Sequence, residues 1–240
     1  MKGSERHRLK ENELSHALGD ATMRLQENRR TFGFAAGVVA LLLVAGIGYW
    51  AWTTRSGNRA QAMLGDAIVI MQSPVAEPKP GAKPEGTSYP TIQARAEAAL
   101  GKFAEVYNVY PSTGAGIASR YYAASALAML GRHAEATVRF QETVERAGAN
   151  SFYGRMARLG VVETNAQAKK YDEAITAAQA LVNNTSDDTI PKDALLMELG
   201  RVQVAAGKKV EAKQTLDKII AEFPESAYIE EAKRMIAELT

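Results

Sequence analysis

Cysteine is absent from the 240 residues, which excludes disulfides, thiolate metal sites and a cysteine nucleophile. The three histidines, His7, His16 and His133, are far apart in sequence and have no metal-ligand spacing. The sequence also lacks the G-x-S-x-G, phosphate-binding-loop and EF-hand motifs. We therefore predict no catalytic residue, no cofactor and no metal site, and a protein that is not an enzyme.

Strand signals and a basic surface are missing as well. No alternating apolar runs joined by Asn-Gly or Asp-Gly turns occur, which favours an all-α fold. The seven basic and five acidic residues of 1–30 account for the whole formal net charge of +2. The rest of the chain is neutral and offers little attraction to a phosphate backbone, so we expect no nucleic-acid partner.

Charge is also missing from residues 31–54, a run of 24 residues. A helix needs about 20 residues to cross a bilayer. Aromatic residues, which favour the membrane interface, stand near both ends of the run: Phe32, Phe34, Tyr49, Trp50 and Trp52. The run is longer than the apolar core of a signal peptide, and no small-x-small cleavage site follows it. We predict a retained transmembrane helix over 31–54 that anchors the chain in membrane lipid.

The distribution of basic residues predicts how this helix is oriented. Seven Lys and Arg residues precede the span, whereas only Arg55 and Arg59 follow it closely. Basic residues remain on the cytoplasmic side of a membrane. We expect a single-pass protein of the bacterial inner (cytoplasmic) membrane, with its N-terminus in the cytoplasm and its C-terminal part in the periplasm.

Two short patterns near the span leave alternatives open. The cytoplasmic arm, residues 1–30, predicts an amphipathic helix that lies on the membrane, docks on a partner or is simply solvated. Its apolar stripe consists of Leu14, Leu18, Ala21 and Leu25. Gly33 and Gly37 form a G-x-x-x-G, a spacing that lets two membrane helices approach closely, as in a homo-oligomer, and that also occurs by chance.

Beyond the span, residues 55–72 predict a helix that continues the anchor, with room for a break near Gly57. Its apolar residues recur at helical spacing: Ala60, Met63, Leu64, Ala67, Ile68 and Met71. Residues 73–90 contain five of the eight prolines and almost no apolar side chains. We expect a semi-rigid, extended linker there that spans up to ~55 Å.

An internal repeat fills residues 91–240. Four-residue strings with Glu-Ala at their end recur every 38 residues, and they finish at Ala98, Ala136, Ala174 and Ala212. A fixed period of this length predicts stacked helix pairs, here an α-solenoid. Residues 58–72 would supply the first helix of the first pair, and residues 225–239 predict an amphipathic closing helix.

The last unit shows the pattern most clearly and resembles the tetratricopeptide repeat (TPR). Small residues at Gly200 and Ala212 permit close helix contact, Leu216 fills the gap between pairs and Pro224 ends the unit. The period differs from the usual 34 residues of that repeat. The fold class we predict is therefore all-α: a single transmembrane helix plus a TPR-like solenoid of stacked helix hairpins.

The whole layout resembles the YfgM-type ancillary subunit of the bacterial Sec translocon. The residues that carry the resemblance are Glu27-Asn28 in the arm, Tyr49-Trp50 at the end of the span, and the TPR-like domain. The segment from Phe223 to Ala232 also resembles TPR segments of the Tol-Pal-associated cell-division coordinator. The resemblance implies a scaffold whose partners are the translocon or periplasmic chaperones.

The first helix of each pair forms the concave surface of a TPR stack. By repeat position, that surface lies near Tyr121, Ser125, Met156, Glu163, Met197 and Arg201. Aromatic and arginine side chains are frequent interface anchors. Our candidate partner-binding residues are Tyr121, Tyr122, Tyr153, Arg155, Arg158 and Arg201. The alternative is that the tyrosines pack between helices and the arginines are solvated.

These observations predict a non-enzymatic, membrane-anchored periplasmic scaffold or adaptor for protein–protein interactions. The alternative is an accessory or structural subunit of another envelope complex, for example in cell division or in an energy-transducing assembly. In that case the span, with Gly33 and Gly37, provides the main contacts.

Overall fold

The computed structural model describes residues 29–76, 88–184 and 190–239. The described residues form helices and no strand, in agreement with the predicted all-α solenoid. We number these helices α1 (Arg29–Gln72), α2 (Ile92–Val109), α3 (Gly114–Met129), α4 (His133–Ala147), α5 (Phe152–Gln167), α6 (Tyr171–Val182), α7 (Lys192–Ala205), α8 (Lys209–Glu222) and α9 (Ile229–Leu239). The apolar stripe predicted in the arm lies outside the described residues.

The chain divides into two compact units, Met1–Arg55 and Ser56–Thr240. In the first unit, the apolar side chains of α1 from Phe34 to Trp52 are exposed. Helix α1 contains a candidate membrane span within Ala36–Gln72, where an 18-residue window has a mean hydropathy of 1.7. The structure thus contains a helix that is long and apolar enough to cross a membrane. It runs through Gly57 without the break for which the sequence left room.

In the second unit, the end of α1 and helix α2 form the first helix pair. Ala60, Leu64 and Ala67 are buried in one apolar cluster with Ala99 and Phe103 of α2. All five of these side chains are at most 4% exposed. The pair therefore forms across the proline-rich segment that separates its two helices in sequence.

Backbone pairing holds the two ends of the proline-rich segment together. Val75 and Tyr89 form an isolated parallel bridge, and the Ala76 amide donates to the Tyr89 carbonyl at 3.0 Å. The Arg95 guanidinium donates to the Ser73 carbonyl at 2.9 Å. The expectation of an extended linker is therefore wrong, because its ends lie within hydrogen-bond distance. Proline content reports local stiffness and gives no information about such pairing.

The turn inside each of the three following helix pairs contains one residue with a left-handed backbone conformation. These residues recur every 38 positions. Gly131 and Gly207 have φ +73°, and Lys169 has φ +60°. The residue after each one donates its amide to a carbonyl five positions back, as in a Schellman motif. These bonds are Arg132 to Leu127 at 2.9 Å, Lys170 to Asn165 at 2.8 Å and Lys208 to Gln203 at 2.9 Å.

Lys169→Gly is expected to stabilise the protein. A left-handed backbone costs a residue with a Cβ atom about 1–2 kcal/mol, whereas glycine adopts it freely. Part of this gain is lost because glycine makes the unfolded chain more flexible. We expect a net gain of about 0.5–1 kcal/mol in urea denaturation followed by circular dichroism. The equivalent Gly207→Ala should have the opposite sign, and a loss of stability in Lys169→Gly would contradict the assignment.

Candidate partner-binding site

The three predicted tyrosines lie together on the first helices of two neighbouring pairs. Tyr121 and Tyr122 are consecutive in α3, and their ring centroids are 5.5 Å apart. Tyr153, in the first turn of α5, lies 5.6 Å from Tyr121 and 6.3 Å from Tyr122. All three side chains are half-buried. The structure therefore brings these three candidates into a single cluster.

Three phenylalanines pack against this tyrosine cluster. Two of them belong to the core, and the third is exposed to solvent. Phe103 stacks on Tyr122 at 5.4 Å and Phe140 lies 5.6 Å from Tyr121, and both phenylalanines are buried. Phe152 packs edge-on against Tyr153 at 5.2 Å and remains 58% exposed. The tyrosines thus pack between helices and also present part of their rings to solvent. Sequence reasoning missed Phe152, although it directly precedes Tyr153.

A groove of about 230 Å³ begins at Tyr121 and runs between α3 and α5 over the Phe140 ring of α4. Its lining residues are Tyr121, Ser125, Ala128, Met129, Phe140, Met156, Leu159, Gly160, Glu163, Thr164 and Gln167. Four of the residues predicted from repeat position are among them. Met129 and Gln167 were missed, although each follows a predicted residue by one helical turn.

Met197 is completely buried, so its predicted place on the concave surface is wrong. Its side chain belongs to an apolar cluster with Leu216 and Ile219 of α8 and Ala232 of α9. The closing helix covers this end of the stack, and it turns a position that is open in α3 and α5 into a core position in α7.

The arginine candidates lie at three separate places, and each of them donates a hydrogen bond within the fold. Arg155 donates to the carbonyl of Asn150 in the turn before α5. Arg158 donates to the Ala180 carbonyl at 3.3 Å and borders a second groove between α4, α5 and α6. Arg201 donates three hydrogen bonds to the Glu231 carboxylate, at 2.9, 3.0 and 3.2 Å. Arg201 therefore forms an ion pair with the closing helix, and its role in partner binding stays a prediction.

Glu163 is the one charged residue among those that line the groove. Loss of solvation raises the pKa of its carboxyl group, and the Glu198 carboxylate raises that pKa further. Burial likewise raises the pKa of Tyr121, and Glu163 contributes to this shift. In the described parts of the chain, no group of three His, Asp or Glu side chains could hold a metal ion.

We expect Glu163→Gln to stabilise the protein slightly at neutral pH. Folding raises the pKa of this carboxyl, so the folded state binds its proton more tightly than the unfolded state does. The group's contribution is therefore fully present below the unfolded pKa, about 4.3, and is lost as pH rises through the folded pKa. Glutamine carries no charge to desolvate. Because the side chain is exposed to solvent, we expect at most about 0.5 kcal/mol in urea denaturation.

The pH dependence of this difference provides the check. The difference in unfolding free energy between Glu163→Gln and the wild type should narrow as the pH falls toward 4, because the wild-type carboxyl then becomes neutral as well. A Gln variant that is less stable than the wild type at pH 7 would mean that the Glu163 carboxylate has a favourable partner in the folded protein.

The predicted membrane-helix contact stays a prediction. Gly33 and Gly37 lie in α1, both are exposed, and a Cβ atom at either position would have no neighbour within 4 Å.

Comparison with known proteins identifies the repeat. Two crystal structures of a putative kinesin light chain from Podosopora anserina with nearly identical TPR-like repeats, one of them a variant, resemble the chain with TM-scores of 0.56. Each is 15% identical, and the alignments cover 76% of this chain and 86% and 85% of those chains. No curated protein matches significantly. Residues 92–232 match the tetratricopeptide repeat-like domain family. Because this match covers more than half of the sequence, the chain belongs to the tetratricopeptide repeat-like domain family.

Proposed function

We propose that this protein is a single-pass, membrane-anchored scaffold that binds other proteins and catalyses no reaction. The observation that carries the proposal is the groove beside the tyrosine cluster, where the half-buried Tyr121 ring lines a cleft together with apolar and polar side chains. Half-exposed tyrosines supply large contact areas at low entropic cost, which suits a binding surface. Folds of this kind generally mediate protein–protein interactions.

The anchor in this proposal is the uncharged segment 31–54, with the arm 1–30 in the cytoplasm and residues 91–240 in the periplasm of a bacterium. The helix 55–72 and the segment 73–90 would connect them. Apolar side chains that are exposed along α1 support the anchor, because lipid would cover them. The basic residues that precede the span support the orientation.

The orientation can be tested because the chain has no cysteine of its own. A single Ser88→Cys variant should react with a membrane-impermeant maleimide on intact spheroplasts. A Ser4→Cys variant should react only after lysis. The reverse labelling pattern would mean that the topology is inverted. Labelling of both variants without lysis would mean that both positions lie outside the cytoplasm, so that the segment between them does not cross the membrane as proposed.

The resemblance to the Sec ancillary subunit suggests the translocon or periplasmic chaperones as partners. We would extract the full-length protein in mild detergent, capture it by affinity and identify the co-purifying proteins by mass spectrometry. A partner in fixed ratio that is lost in Tyr121→Ala, and retained in Val138→Ala, supports binding at the groove. Val138 is a suitable control because it is 54% exposed on α4 and does not line the groove. Loss in both variants, or in neither, contradicts groove binding.

A second candidate is an accessory subunit whose span makes the main contact, either with another protein or with a second copy of the chain. Gly33 and Gly37 favour it, because both leave open space beside the α1 backbone. Exchange of residues 31–54 for an unrelated span separates the two candidates. A scaffold that binds through its groove keeps its partner, whereas an accessory subunit of this kind loses it.

A further inference from the structure

The groove beside Tyr121 is lined by both apolar and polar side chains, and its charge is of a single sign. Of its eleven lining residues, Glu163 is charged and none is basic. Met156, Leu159 and Phe140 are among its apolar lining residues. At about 230 Å³ the groove is smaller than the roughly 300–1,000 Å³ of small-molecule pockets, so it fits one side chain of a longer ligand.

The negative charge in this groove is not neutralised within the described part of the chain. Other carboxylates of the repeat domain have a close cation: Glu142 lies 2.6 Å from Arg139, and Glu231 lies 2.9 Å from Arg201. None of the ion pairs among the described residues includes Glu163. The Glu198 carboxylate on α7, which lies 3.7 Å from Arg201, repels the charge of Glu163. A cation from outside would relieve this repulsion.

We infer that the groove binds an extended segment of a partner protein in which an apolar side chain is followed by lysine or arginine. The apolar side chain fills the cleft between Tyr121 and Met156, and the cation pairs with Glu163. This inference rests on the proposed scaffold function and specifies its ligand. Charge complementarity selects the occupant, because the single carboxylate of the groove attracts a basic peptide and repels an anionic lipid headgroup.

Short peptides test the inference directly. The full-length protein would be placed in nanodiscs of phosphatidylcholine, a lipid without net charge that does not attract the peptides. Fluorescent ten-residue Gly-Ser peptides would carry Leu-Lys, Leu-Glu or Ser-Lys at their centre, and anisotropy would report binding at low salt. We expect the Leu-Lys peptide to bind at least tenfold more tightly than either of the others. Equal binding of all three would overturn the inference.

Substitutions at Glu163 supply the decisive comparison. Glu163→Gln should weaken Leu-Lys binding about three- to tenfold and strengthen Leu-Glu binding, because the repelling charge is removed. Glu163→Lys should reverse the preference between these two peptides. Glu222→Gln, at an exposed site at the end of α8, is the matched control and should change nothing. A general structural defect cannot produce a reversed preference, particularly in a series whose Gln variant is expected to be more stable.

The outcomes separate this inference from the function on which it rests. If Tyr121→Ala abolishes capture of a partner but the Glu163 variants bind every peptide equally, the scaffold function stands and the basic ligand is wrong. If Tyr121→Ala changes neither capture nor peptide binding, groove binding fails as well. A concentration-dependent dimer in sedimentation that is lost in Tyr121→Ala would make a second copy the occupant and overturn the peptide assignment.

Discussion

Phe140→Ala is expected to lower the free energy of unfolding by about 3–5 kcal/mol, the usual cost of removing a buried phenylalanine. The Phe140 side chain is 4% exposed and packs in a cluster that includes Leu127 and three alanines, which are too short to fill the vacated space. Its ring also lies 5.6 Å from the Tyr121 ring and forms part of the groove. The variant should therefore lose ligand binding even in the fraction that stays folded.

A double-mutant cycle with Gly160 tests the packing behind this prediction. A Cβ atom at Gly160 would lie 2.6 Å from the Phe140 ring, so Gly160→Ala alone should cost about 1–3 kcal/mol. In the Phe140→Ala background the added methyl group enters the space that the ring has left. The destabilisation caused by Gly160→Ala should then disappear or become a stabilisation. The coupling free energy between the two substitutions should exceed about 1 kcal/mol.

Urea denaturation followed by circular dichroism on the four proteins measures this coupling. Gly101→Ala in α2 is the control, because nothing lies within 4 Å of a Cβ atom there. Alanine is a better helix former than glycine, so this variant should gain up to about 1 kcal/mol. If the Gly160→Ala and Phe140→Ala effects simply add, the two residues do not contact each other as described.

The helix pairs could be predicted from the sequence because their determinants are local. Helices α4, α6 and α8 begin at His133, Tyr171 and Lys209, at the 38-residue step of the Glu-Ala strings. Capping glycines, short residues at the close contacts and apolar periodicity all act within one repeat. Helix α2 departs from the step: it begins at Ile92, because Thr91 caps it by accepting a hydrogen bond from the Ala94 amide at 3.0 Å.

The site could be predicted only in part, because it depends on contacts between repeats. Repeat position indicated that Tyr121, Met156 and Glu163 share a face, and they line one groove. The same reasoning placed Met197 on that face, since a repeat pattern does not show which unit the closing helix covers. Repeat position also does not show that Arg201 pairs with Glu231, which is thirty positions away in sequence.

Gly116→Ala and Gly154→Ala should each destabilise the protein by about 2–4 kcal/mol, through steric overlap and the loss of a helix cap. A Cβ atom at Gly116 would lie 1.9 Å from the Tyr110 carbonyl oxygen. That carbonyl accepts from the Thr113 amide at 3.2 Å and from its hydroxyl at 3.0 Å. The Thr113 hydroxyl oxygen in turn accepts from the Gly116 amide at 3.0 Å, so the oxygen cannot withdraw without breaking the cap.

The turn before α5 repeats this arrangement 38 residues later. A Cβ atom at Gly154 would lie 2.0 Å from the Gly148 oxygen, and Ser151 replaces Thr113 as the capping residue. Two independent occurrences of one geometry make the prediction specific, because both variants should lose a similar amount. Thr113→Ala, which removes the cap without adding an atom, should cost only about 1 kcal/mol.

Gly114→Ala provides the matched control, since it lies two residues earlier in the same helix and its Cβ atom would meet nothing within 4 Å. We expect it to remain within about 0.5 kcal/mol of the wild type, whereas Gly116→Ala should lower the melting temperature by roughly 5–12 °C. Equal melting temperatures would show that the turn relaxes freely. A rigid turn has a functional consequence, because α3 and α5 carry Tyr121 and Tyr153 and begin at these two caps. Either substitution should therefore separate the tyrosine rings and weaken peptide binding under conditions where the protein remains folded.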